Sequence, residues 1–165
     1  MNDRCKLVVY YRKYINMSFT DKINADIKAA MLAKEKEKLA ALRDIKSKLL
    51  LEATSGGSGK VTEEAAAKIV LKLYKQRIDT YNLYVEQGRQ DLADEELFQA
   101  KVIEEYMPKQ LTEDEIRSEV KAAIQSVGAS APSDMGKVMG VLTGKLAGKA
   151  DGKVISAIVK EELSN

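Results

Sequence analysis

Histidine and tryptophan are missing from this 165-residue chain, and cysteine occurs once, as Cys5. With a single thiol and no imidazole, the chain can form no internal disulfide, supplies none of the ordinary zinc ligand sets, and leaves a cysteine nucleophile without its usual base. A reducing, cytoplasmic setting fits that composition. Proline is nearly as scarce, with Pro108 and Pro132 the only two, so most of the chain is free to run as uninterrupted helix. Long apolar runs are lacking too. In the first sixteen residues the apolar stretch extends only from Leu7 to Tyr11, too short for a membrane span or a secretory signal core. Arg4, Lys6, Arg12 and Lys13 give this segment a basic character of the mitochondrial-targeting kind, against which stand Asp3 and a poverty of serine. No membrane role is expected, and Met17-Ser18-Phe19 reads as a natural beginning after an extension.

What remains is rich in alanine, lysine, leucine and glutamate, which points to an all-α fold. Ser18 with Asp21 has the form of a capping box, and Ile23, Ile27, Ala30 and Met31 follow at helical spacing. The charged stretch Lys34 to Lys38 interrupts the stripe before it resumes at Leu39, Leu42, Ile45 and Leu49. Two consecutive helices with a bend, or one long bent helix, would produce that pattern. Thr54-Ser55-Gly56-Gly57-Ser58-Gly59 is a loop by composition. Beyond it Thr62 should cap a long helix burying Ala66, Ile69, Leu73, Ile78 and Tyr81 and stopping at Gly88. Asp91 is expected to cap the next, which Pro108 ends near Tyr106 or Met107. The map is therefore an extension at 1–17, a layer of long antiparallel helices over 18–108, and a small three-helix unit over 109–165. A capping box of Thr112 with Glu115 opens that last unit, and its first helix should stop near Gly128.

Glycine then recurs at every fourth position, as Gly136, Gly140, Gly144, Gly148 and Gly152, and Lys137, Lys145, Lys149 and Lys153 each directly follow one. A glycine inside a helix costs about 0.5 to 1 kcal/mol relative to alanine. Residues four apart lie nearly above one another, so Gly136, Gly140 and Gly144 would expose a bare strip of backbone. Another helix could pack along it, or a nucleic-acid backbone could approach it, with lysines for phosphate. Asp151 is placed to cap the final helix.

Together with that run, the segments Gly88-Arg89-Gln90-Asp91-Leu92-Ala93 and Glu104-Glu105-Tyr106-Met107-Pro108-Lys109-Gln110-Leu111 resemble the GatB/YqeY family, specifically its free-standing YqeY-like proteins, from about Met17 to Ser164. The resemblance implies an all-helical fold that shares a region with the C-terminal tail of the GatB component of the tRNA-dependent amidotransferase. It implies an association with carbon–nitrogen ligation in which glutamine is the amido-N-donor, with tRNA as partner and amidotransferase or aminoacyl-tRNA synthetase components as further partners. In that enzyme the tail looks to the body of the tRNA while catalysis occurs elsewhere. The residues that carry over are Lys137, Lys145, Lys149 and Lys153, with Gly140 and Gly144 between them.

Catalytic machinery is hard to find. Gly56-Gly57-Ser58-Gly59-Lys60 fails as a phosphate loop, because Thr54 stands where its first glycine belongs and Val61 where its hydroxyl residue belongs. Gly144-Lys145 fails in the same way at Met139 and Leu146. No serine sits in a glycine-rich elbow. The carboxylate clusters Asp94-Glu95-Glu96 and Glu113-Asp114-Glu115 are explained by first helical turns, where negative charge is favoured, rather than by a metal. Arg89 could pair with Asp91 or Asp94 to fix the Gly88 turn, or present its guanidinium to a ligand. Tyr74, Tyr81 and Tyr84 read as packing residues. We therefore expect no catalytic residues, no metal and no cofactor. The expected function is a non-catalytic tRNA-binding accessory module; the alternatives are a helical protein–protein adaptor and, third, a glutamine-dependent ligase acting within a larger complex.

Overall fold

The computed structural model describes residues 17–55 and 59–164. The expected N-terminal extension, apart from Met17, lies outside the described residues, as do Gly56, Gly57 and Ser58. Among the described residues are seven α-helices, one short 3-10 turn and no strand, so the protein is all-α. None of these helices is long and apolar enough to cross a membrane. The chain divides into two compact units, the first ending at Glu105 and the second beginning at Tyr106.

The first unit holds α1 (Phe19–Ala33), α2 (Lys36–Ser55), α3 (Glu63–Glu86) and α4 (Gln90–Glu104). Ser18 caps α1: its Oγ accepts from the Asp21 N–H at 3.2 Å and donates to Asp21 Oδ2 at 2.7 Å. The charged interruption is a true break between two helices. Lys34 takes the left-handed conformation, with φ 60°, while its N–H reaches the Met31 carbonyl and that of Glu35 reaches Ala30. A lysine thus fills the place in a C-terminal Schellman turn that usually falls to glycine. The same turn ends α3 with the expected residue, since Gly88 has φ 69° and the N–H of Arg89 donates to the Tyr84 carbonyl at 2.9 Å. Helix α2 runs farther than its composition suggests. Thr54 and Ser55 belong to it, and their hydroxyls donate back to the carbonyls of Leu51 and Glu52 at 2.9 and 3.2 Å, which satisfies groups otherwise orphaned at a helix end.

Thr62 caps α3 as expected, accepting from the Ala65 N–H. Ala66 and Leu73 are buried, while Ile69, Ile78 and Tyr81 are half-buried. The core beneath draws Ile23 from α1, Leu42, Ile45 and Leu49 from α2, Val70 from α3 and Ile103 from α4. Arg77 crosses the edge of this packing. Its Nη2 lies 2.9 Å from Asp44 Oδ2 on α2 and its Nη1 lies 3.2 Å from Glu96 Oε2 on α4, so one guanidinium ties three helices together.

In the second unit are α5 (Glu113–Val127), the turn Pro132–Asp134, α6 (Met135–Lys145) and α7 (Gly152–Glu162). Thr112 and Glu115 form the reciprocal capping box, and Gly128 closes α5 in the left-handed conformation. Ile116 and Val120 of α5 pack with Val138 and Leu142 of α6 and with Ile155 and Val159 of α7. Outside that core Arg117 bridges α5 to α7, with Nη1 2.8 Å from Glu162 Oε1 and Nη2 3.0 Å from Glu161 Oε2. The segment leading into α5 is stitched to the α6–α7 connection: Gln110 Nε2 donates to the Gly148 carbonyl at 2.7 Å, and the Leu111 N–H to the Lys149 carbonyl at 2.9 Å.

Candidate nucleic-acid interface

Helix α6 carries the glycine strip, and only Val138 and Leu142 on it are fully buried. At about 100° per residue, Gly136, Gly140 and Gly144 project from the side opposite those two. A Cβ added at any of the three would meet no atom within 4 Å. The strip therefore packs against nothing among the described residues, and no helix among them occupies the packing groove allowed by the sequence. Gly148 and Gly152 do not extend the strip. Gly148 sits in the connection with φ 70°, where it turns the chain, and Gly152 is the first residue of α7.

Beside the glycines runs a second row, Lys137, Val141 and Lys145, in which Val141 is 43 % exposed. The lysines in it are already engaged. Lys137 Nζ donates to Asp134 Oδ1 at 2.8 Å, and that contact raises the lysine pKa and, ahead of the Ser130 N–H, holds Asp134 below the usual carboxylate range. Lys145 makes an ion pair with Glu119 of α5, whose Oε2 is buried behind it. Lys149 and Lys153 make no ion pair among the described residues and are exposed. Lys153 stands in the first turn of α7, where Asp151 caps the helix by accepting the Lys153 N–H at 2.9 Å. The start of a helix favours negative charge, which Asp151 supplies from within, and Lys153 adds to the attraction for a further anion.

Arg89 and Asp91 lie on the first unit, in the α3–α4 turn. Asp91 is not the expected cap: Arg89 occupies that position without a side-chain capping bond, and Asp91 is the second residue of α4. Its carboxylate is instead gripped by Arg89, with Nε to Oδ1 at 3.0 Å and Nη2 to Oδ2 at 2.8 Å. The forked pair raises the Arg89 pKa and lowers that of Asp91, and it occupies the guanidinium in fixing the turn. Asp94, Glu95 and Glu96 lie beyond the first turn of α4, where Asp91 is the one acidic residue. First-turn stabilisation does not explain them, and Glu96 faces Arg77.

A model of the YqeY-like protein family matches residues 20–163. The chain belongs to that family. Its second unit, from the Gln110 stitch to α7, lies within the matched span. A curated relative, "Altered inheritance of mitochondria protein 41, mitochondrial" of Clavispora lusitaniae (strain ATCC 42720), is 32 % identical over 85 residues, covering 52 % of this chain and 49 % of the relative. The chain thus spans about half the length of the relative it matches.

Two features of this YqeY-like chain escape a reading of its sequence, and a third does not. Glu119 sits midway along α5 and carries no local sign of its role opposite Lys145. Gln110 lies in the recognisable Pro108-Lys109-Gln110-Leu111 segment, yet its partner Gly148 is far along the chain. Asp134 was within reach, because its spacing of three from Lys137 is a helical pairing distance.

Proposed function

We propose that this chain is an accessory RNA-binding module without an active site of its own, which holds tRNA through its second unit in the setting of tRNA-dependent amidation. The single observation that carries the reading is the open glycine row on α6. Three glycines weaken that helix by roughly 1.5 to 3 kcal/mol in sum, and no neighbour among the described residues uses the close approach they permit. A sugar–phosphate backbone laid along the strip would use it. Lys149 and Lys153 are then the first phosphate ligands, whereas Lys137 and Lys145 must exchange Asp134 and Glu119 for phosphate. Tyr106, the one aromatic residue of this unit, is buried, so base stacking contributes nothing and binding depends on the backbone.

The test is tRNA binding by fluorescence anisotropy across a salt series. Each phosphate neutralised contributes a slope of about 0.7 to 0.9 in log affinity against log salt. Lys149→Ala with Lys153→Ala should weaken binding and lower that slope by roughly 1.4 to 1.8. Affinity and slope unchanged in this variant, and also with Lys137 and Lys145 replaced, would remove the strip as an RNA site. The second reading, an adaptor for a protein helix, would then take its place; Val141, exposed between two charge-balanced lysines, suits that partner. Amidotransferase or aminoacyl-tRNA synthetase components are the proteins we propose to accompany the complex. We propose the cytoplasm as its compartment; the relative's printed name places that protein in mitochondria, and cell fractionation separates the two.

A further inference from the structure

Helices α2 and α3 leave a furrow of about 240 Å³ between them, which runs on past Glu52 and Ile69 into a depression of about 270 Å³ near Thr62. The two helices are antiparallel along it, since the α2 lining rises from Lys48 to Glu52 as the α3 lining falls from Gln76 to Thr62. The floor is apolar. Leu73 is buried, Ile69 is half-buried, and Leu51 stands at the edge 63 % exposed. Charge is laid out in order along the length: Glu52 and Glu64 toward Thr62, Lys48 and Lys72 toward Gln76, with Lys68 between. All five charged side chains are exposed, and none has an ion pair among the described residues. Farther along α3, by contrast, Arg77 is held by two carboxylates.

We propose that this furrow is a self-association face whose occupant is a second copy of the chain, related by a twofold axis crossing it near Leu51. A twofold axis reverses direction, so Glu52 and Glu64 of each copy meet Lys48 and Lys72 of the other, and the contact is made twice. Leu51 of each copy covers the Ile69–Leu73 floor of the other. A uniformly charged partner, whether polyanion, lipid surface or acidic helix, satisfies one end of the furrow and is repelled at the other. The charge order suits only a partner of reversed order, which a second copy supplies. The face is short, so the dimer is weak and salt-sensitive. It is independent of the RNA reading, which concerns the second unit.

Sedimentation equilibrium of the full chain over about 1 to 500 μM should show the average mass rising from one chain toward two, less so in high salt. Lys48→Glu with Lys72→Glu should abolish the rise, and so should Glu52→Lys with Glu64→Lys, because each variant faces its own charge. An equimolar mixture of the two variants should restore it. Leu51→Asp should weaken association at least about tenfold, with helical signal and melting recorded for every variant to confirm folding. A wild-type chain that stays monomeric throughout the range overturns the proposal. So does a dimer that these substitutions leave intact, or a mixture that fails to associate.

Discussion

Replacing Gly136, Gly140 and Gly144 together by alanine should make the second unit more stable. Each site lies within α6 at ordinary helical dihedrals, and an added Cβ meets no atom within 4 Å at any of them, so overpacking imposes no penalty. The gain is then the helix-propensity difference, about 0.5 to 1 kcal/mol per site, and the sites share no partner through which to couple. The sum is roughly 1.5 to 3 kcal/mol. For a unit of this size each kcal/mol moves the melting temperature by about 4 to 8 °C, so the rise should be on the order of 10 °C. Urea unfolding should show a higher midpoint at unchanged slope, and slower hydrogen exchange at the Val138 and Leu142 amides would assign the gain to this unit. If the strip holds RNA as proposed, three added methyl groups should hold the sugar–phosphate backbone off and weaken tRNA binding in the same variant. A lower melting temperature would refute the reasoning, because it would mean that the strip touches something after all.

Arg77→Ala leaves Asp44 and Glu96 without their shared cation; because the cluster is partly exposed, the expected loss is roughly 1 to 3 kcal/mol, and Arg77→Lys should recover only part of it, since one ammonium cannot reproduce the guanidinium fork. Stability of both variants equal to wild type in urea would show that the cluster is ornamental. Gln110→Ala frees the Gly148 carbonyl and should cost about 1 kcal/mol, with faster amide exchange at Lys149; no change in either would discount the stitch. Glu115 is held below the usual carboxylate range chiefly by the Thr112 N–H, and Asp134 chiefly by the Lys137 ammonium. The stability these depressed carboxylates contribute is fully present at neutral pH and is lost as pH falls through that range toward their lowered values. Glu115→Gln should therefore flatten the fall in melting temperature between about pH 5 and pH 2, and an unaltered acid limb would count against this role.

Helix ends were legible in the sequence because the forces that set them are local. Thr62, Asp151 and the Thr112–Glu115 pair reach groups two or three residues away, and Gly88 and Gly128 supply positive φ from their own lack of a side chain. Lys34 does the work of a glycine, so composition could not reveal the α1–α2 break as a Schellman turn. Asp91 misled for a different reason: the residue type suits a cap, but the neighbouring Arg89 competes for its carboxylate and wins. The ties of Arg77 to Asp44 and of Arg117 to Glu162 join residues 33 and 45 positions apart, which no local pattern encodes. As for the candidate site, periodicity already set the glycines against Val138 and Leu142. Only the fold could show whether that outer side meets a second element, and among the described residues it does not.

The bare row on α6 also has a genetic consequence. Every glycine codon lies one nucleotide from an alanine codon, and at these three positions the change improves the fold rather than harming it. Drift toward a sturdier protein therefore leads directly away from the strip. Laboratory propagation of this chain under heat challenge alone should erase Gly136, Gly140 and Gly144 among the earliest substitutions, whereas propagation under selection for the proposed RNA contact should hold them in place.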